Sequence, residues 1–207
     1  MKNRMLLDAF FYIAVPLIAW NFFREHWGDY YTILIGMVPG VIYTVVTFVI
    51  NKEWNITGIF FLTIITLNLG MNLFSSTAEE ELWNGVWLGY ISIAFYSLTI
   101  LIRKPIGMYF FIDYAFAKGV PREKSRVLYR LPNNFHYFIK FTLFLILREI
   151  VVIVVKSTMI KELGVDGFNS IQITTSVINY AFTALTIVFV IYIIKHTKSA
   201  EDSSSSA

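Results

Sequence analysis

Arg148 and Glu149 stand side by side in the run FLILREIVVIVV, residues 144–155, where every other side chain is apolar. An arginine there offers a planar fork of donors suited to carboxylate or phosphate. A glutamate offers a site for a proton or a cation. Either one facing lipid alone would cost at least ~2.5–3.5 kcal/mol. Adjacent helical residues point about 100° apart, so the two are expected to find partners on other helices rather than on each other.

Helical rise, at ~1.5 Å per residue, predicts which partners share their depth. Arg148 and Glu149 fall roughly 10–13 Å from one end of their apolar block. Asn68 and Asn72, one turn apart on one face, reach the same layer. So do Asn179 and Tyr180, Tyr90 with Ser92, and the irregular Gly36 and Pro39-Gly40. Arg148, Glu149, Asn68, Asn72, Asn179, Tyr180 and Tyr90 are therefore the candidate substrate-binding residues. Pro39 is expected to leave a backbone carbonyl without its helical donor.

Other chemistry is excluded by what is missing. The chain has no cysteine, so disulfides, thiolate nucleophiles and cysteine metal sites drop out. His26, His136 and His196 lie in or beside loops on two sides, so no metal site is expected. No G-x-S-x-G, H-E-x-x-H or Walker-type loop occurs, so the sequence offers no catalytic residue and no cofactor, and an enzyme is not expected. A net charge of +3 is too small to argue for nucleic acid. Asp8 is read as pairing with Arg4 or meeting water, and Asp113 as facing headgroups or the basic connector.

The elements that must carry these residues are set by composition. The chain of 207 residues is 57% hydrophobic and 15% charged, with mean hydropathy +0.63. An ordinary soluble domain has roughly 45–50% and 25%. About 20 apolar residues cross a ~30 Å hydrocarbon core. Six blocks approach that length: 5–23, 31–50, 56–74, 83–102, 135–155 and 171–194. The fifth is long enough only with Arg148 and Glu149 inside it. The expected fold is all-α, a polytopic membrane protein whose residues 1–198 form a single six-helix transmembrane domain. Residues 199–207, polar and serine-rich, read as a disordered tail or an expression remnant.

Loop charge predicts orientation. Arg103, Lys104, Lys118, Arg122, Lys124, Arg126 and Arg130 separate blocks four and five. Lys2, Arg4, Lys52, Lys195 and Lys198 share their side if there are six crossings. The other side receives Arg24, Lys156, Lys161 and the acidic run Glu79, Glu80, Glu81. Both termini are thus expected in the cytoplasm. Residues 105–118 read as an interfacial cytoplasmic helix, begun by Pro105 and ended by Gly119. Trp20, Trp27, Trp54, Trp83 and Trp87 sit near span ends as interfacial anchors.

The segments DAFFYIAVPLIAWNFF, GDYYTILIGMVPGVIYTVV and SLTILIRKPIGMYFF, followed by a late pair of spans around LREIVVIVV, resemble a family of small bacterial integral membrane proteins. That family is distantly similar to the intracellular septation protein A group. Its markers here are Pro16, Gly28, Pro39 and the Arg103-Lys104-Pro105 step. The resemblance implies a multi-pass protein of the bacterial cytoplasmic membrane and brings no catalytic residue.

Two functions stay open on the sequence. One is a polar pocket in the outer half of the bilayer that binds or transports a small polar or anionic solute. The other is a non-transporting scaffold in envelope maintenance or division, meeting anionic lipid, another membrane protein or a second copy of itself through the basic loop.

Overall fold

A computed structural model describes Leu7, residues 10–50 and residues 56–205, with side chains for 7, 10–46 and 56–197. Lys2, Arg4, the start of the first block at residue 5, Asp8, Lys52, Trp54 and the side chain of Lys198 lie outside the described residues.

The chain is all-helical, with no strand among the described residues. A π-helical turn, Phe10–Ala14, leads into α1, Val15–Ile50. This helix is broken at Gly28, whose φ of 73° and ψ of 168° reverse the chain. Only glycine adopts such a conformation without strain. The arms 10–27 and 29–46 fold back on each other. Phe11 stacks on Tyr43 with centroids 4.7 Å apart. A Cβ on Gly36 would sit 3.1 Å from Ala19 Cβ, and one on Gly40 would sit 3.3 Å from the Tyr12 ring. The Gly-x-x-x-Gly spacing thus lets the arms approach closely.

Next come α2, Ile56–Leu73, and α3, Ala78–Leu101. Thr77 caps α3 by accepting from Glu80 N at 3.1 Å, and Glu80 Oε2 reaches back to Ser76 N at 2.6 Å. This is close kin to the capping box that the spacing T-x-x-E announces. The helix stops at a break where Arg103 takes a positive φ of 54°. Short helices α4, Ile106–Ala117, and α5, Arg122–Arg130, follow. The chain ends with α6, Pro132–Leu163, a 3-10 turn at Val165–Gly167, and α7, Phe168–Ser205. The final helix therefore runs into the serine-rich stretch beyond residue 199.

Four segments are long and apolar enough to cross a membrane: Phe10–Val46, Ile56–Leu73, Ala78–Leu101 and Val165–Thr197. The first of these is the hairpin. Helix α6 has the length but carries Lys140, Arg148, Glu149 and Lys156 along it. Large apolar side chains such as Ile42, Phe61, Leu98, Val177 and Val188 face outward, as lipid-facing residues do.

Helix α3 packs antiparallel along α6, with α7 against the other side of α6. One core, around Trp20, Ile33, Val86, Ile153, Ile160 and Ile171, lies at the end that holds Gly28 and Gly164. A second, around Met108, Phe111, Ile112, Phe138, Phe141 and Ile193, lies at the end that holds α4.

Helix α4 packs deeply into the protein. It begins after Pro105 and ends before Gly119 as anticipated, but seven of its twelve residues are buried. It is wedged against α2 and α6, with Tyr114 and Phe116 left exposed. Gly107 makes this possible, since a Cβ there would meet Phe141 Cδ1 at 2.8 Å and Thr142 Oγ1 at 2.9 Å. Buried Asp113 meets the basic connector through Arg122, 3.5 Å away, and also caps α2. Its other oxygen accepts from Thr57 N at 2.9 Å and Thr57 Oγ1 at 2.8 Å.

Candidate functional site

Arg148 and Glu149 sit well inside α6, far from either helix end. Arg148 Nη1 donates to Glu149 Oε1 at 3.0 Å, and Nη2 donates to Asn179 Oδ1 on α7 at 2.9 Å. The divergence of neighbouring Cβ vectors does not prevent pairing, contrary to expectation, because the long arginine stem bends across to its neighbour. Asn179 then anchors the free edge of the fork. The Arg148 side chain remains 35% exposed, whereas Glu149 is only 14% exposed. Glu149 turns toward α3, where its Oε2 comes within 3.8 Å of the place a Cβ would occupy on Gly89. The buried ring of Tyr96 lies in the field of both charges.

The anticipated single polar layer is in fact two clusters. Asn72 does not reach Arg148. It is buried nearer the Gly28 end, where its Nδ2 points to Met37 Sδ at 3.1 Å and its Oδ1 accepts from Asn84 Nδ2 at 3.0 Å. Its backbone carbonyl accepts from Tyr30 OH at 3.2 Å. Asn84 also donates to Ser75 Oγ at 2.6 Å. Tyr90 and Tyr180 are exposed on the outer faces of α3 and α7. Each follows a residue, Gly89 or Asn179, that faces α6, and one step along a helix turns the side chain away.

Asn68 and Asn72 instead line a cavity of about 280 Å³ between the α1 hairpin, α2, and the facing ends of α6 and α7. Phe11, Leu34, Met37, Val41, Ile65 and Leu69 supply apolar walls. Lys156, Gln172 and the two asparagines supply polar atoms. Gln172 Nε2 donates to the backbone carbonyl of Tyr12 at 2.8 Å. That carbonyl lies four residues before Pro16, which has no N–H to give it. The freed acceptor expected at Pro39 is thus seen in use at Pro16, with the π-helical turn just before it.

Lys156 is the residue that the sequence assigned to a loop and the fold brings inward. Its Nζ lies over Gly85, in the space that a Cβ there would fill. It makes no ion pair or hydrogen bond with the described residues. Glu81, read as part of an exposed acidic run, is 2% exposed, and neither carboxylate oxygen has a hydrogen-bond partner among the described residues. Lys156 is the cation whose field reaches it. A signal for this arrangement exists in the sequence. Glu149 and Lys156 are seven residues apart on one helical face, and Gly85 and Gly89 are four apart on the helix they meet.

Among the described residues no group of histidines and carboxylates could hold a metal ion. No family model, curated protein or solved structure matches this chain.

Proposed function

We propose that the chain is a six-span protein of the bacterial cytoplasmic membrane that binds a small anionic solute in the cavity beneath Lys156 and carries it across. The observation that carries this reading is an unpaired ammonium lining a 280 Å³ cavity beside Asn68, Asn72 and Gln172. That volume is near the lower end of the ~300–1,000 Å³ usual for small-molecule sites. An intramembrane ionisable residue that makes no ion pair or hydrogen bond marks a functional site by default, and a cation there selects an anion.

Six crossings are supported by the reversal at Gly28, which makes two arms of the 37-residue apolar segment. They are supported too by the mutual neutralisation of Arg148 and Glu149, which lowers the cost of placing α6 in lipid. Orientation follows from charge. Arg103, Lys104, Lys118, Arg122, Lys124, Arg126 and Arg130 gather at the α4 end, which is then cytoplasmic, and the termini with it. The likeness to the septation group adds only the expectation of a bacterial envelope setting. Arg148, Glu149 and Asn179 serve in this reading as the fixed pivot on which α6 and α7 meet.

The test is a thermal-shift screen of small anions on purified protein. Hits are expected to stabilise the wild type and to lose their effect in Lys156→Met. Hits that stabilise both proteins equally would overturn the site. A scaffold role is the second reading, favoured by the helix α5, whose Arg122, Lys124, Arg126 and Arg130 accompany exposed Val127 and Leu131. Neutralising those four charges would then abolish partner or lipid association without touching anion binding.

A further inference from the structure

The cavity below Lys156 contains one cation, and beside it stands one carboxylate with nothing to hold it. Glu81 occupies the first turn of α3, where the helix N-terminus favours negative charge. Even so, both its oxygens lack a hydrogen-bond donor among the described residues. The one cation whose field reaches it is Lys156, which lies across Gly85 and makes no ion pair with it.

Every other charge on the elements packed against α3 is engaged elsewhere or faces water. Arg24 on α1 is held by Asp29 at 2.6 Å and by Asp166 of the 3-10 turn. Glu149 on α6 is held by Arg148. Asp113 on α4 is held by Arg122 and Thr57. Lys161 and Glu162 at the end of α6 are exposed, as are Glu79 and Glu80 on α3 itself. Helix α2 has no ionisable group. Lys156 and Glu81 therefore form an isolated couple of net charge zero.

We infer that the cavity takes a singly charged amphipathic anion together with one proton, which is bound by Glu81. The inference rests on the anion-binding reading of the same cavity. An anion that settles on the Lys156 ammonium takes over the charge that keeps Glu81 ionised. A buried carboxylate stripped of its counter-charge in a low-dielectric setting takes up a proton rather than remain ionised. The balance is simple: solute anion and proton enter, the ammonium pairs with the solute, and Glu81 becomes the neutral acid. The loaded site keeps a net charge of zero, as the empty one has. A dianion would leave a second charge without a partner, since no other cation lines the cavity. The apolar walls of Phe11, Leu34, Val41 and Ile65 suit a short alkyl or aryl body.

The experiment uses full-length protein in zwitterionic nanodiscs, with butanesulfonate and hexanesulfonate as probes because their charge does not titrate. Affinity is measured from pH 6 to 9 and proton uptake is followed with an indicator dye in weak buffer. In the part of this range where Glu81 is ionised before the probe arrives, wild type is expected to weaken about tenfold per pH unit and to take up close to one proton per probe bound. Glu81→Gln should bind with a flat pH profile and no uptake. Lys156→Arg, whose charge is permanent, should keep the slope. Saturable binding with no proton uptake overturns the inference and leaves the anion site standing. A slope that survives in Glu81→Gln but flattens in Lys156→Arg assigns the titration to the lysine and also overturns it. Failure of both probes to bind saturably, with Lys156→Met indistinguishable from wild type, overturns the anion site and the inference together. Proton uptake by the wild type decides the matter if Glu81→Gln does not fold.

Discussion

Replacing Arg148 by methionine removes the one hydrogen-bonding partner that Glu149 has among the described residues. Taking one member from a buried ion pair costs ~3–5 kcal/mol, because the other charge is left in a poor solvent. Here Glu149 is 14% exposed but Arg148 is 35% exposed, so water already screens part of the attraction. The loss should fall to about 2–3 kcal/mol. Asn179→Ala, which removes only the second contact of the guanidinium, should cost about 1–2 kcal/mol. The double variant Arg148→Met/Glu149→Gln leaves no buried charge and should recover to within about 1 kcal/mol of wild type. Neutralising Glu149 therefore offsets the loss of Arg148, as changes at groups in contact do. Reversible unfolding in mixed micelles of detergent and denaturing surfactant would measure all four proteins. An Arg148→Met variant within about 0.5 kcal/mol of wild type would refute the reasoning, and so would a double variant no more stable than the single one. Either result would mean that Glu149 does not depend on Arg148.

Three further outcomes follow from the same geometry. Gly107→Ala places a methyl group 2.8 Å from Phe141 and 2.9 Å from Thr142 Oγ1, beside the 3.1 Å bond from Gly107 N to that oxygen. Overpacking of this kind should destabilise by about 1–3 kcal/mol in the same unfolding assay. Gly70→Ala, with nothing within 4 Å, is the control and should be neutral or slightly stabilising. Gln172→Leu removes the donor to the Tyr12 carbonyl and should cost about 0.5–1.5 kcal/mol, whereas Pro16→Ala supplies an N–H and should offset part of that loss in the double variant. Asp113→Ala uncaps α2 at Thr57 and frees Arg122, so a loss of about 1–2 kcal/mol and faster amide exchange at Thr57 are expected.

Depth along a helix was legible in the sequence because rise per residue is nearly constant, whereas the facing of each side chain depends on neighbours that a single chain does not name. Asn179 illustrates the first: its distance along its block placed it level with Arg148, and the two are bonded. Tyr90 illustrates the second, since it shares the depth of the polar residues but points outward, one step round from Gly89. Gly28 stands in the sequence only as a single glycine between two apolar blocks, yet its positive φ makes the hairpin that walls the cavity. Lys156 and Glu81 were hidden for a different reason. Each stands at the edge of an apolar block, where charge is ordinarily solvated, and only packing across the facing glycines carries them inside. The paired periodicities were there to be read, Glu149 with Lys156 at seven residues and Gly85 with Gly89 at four. A small-residue stripe admits a close neighbour, and a charged stripe of matching register needs one that will not crowd it. Where two such stripes meet, a lysine near a helix end faces a backbone and lines a cavity, at a position that composition alone would assign to a loop.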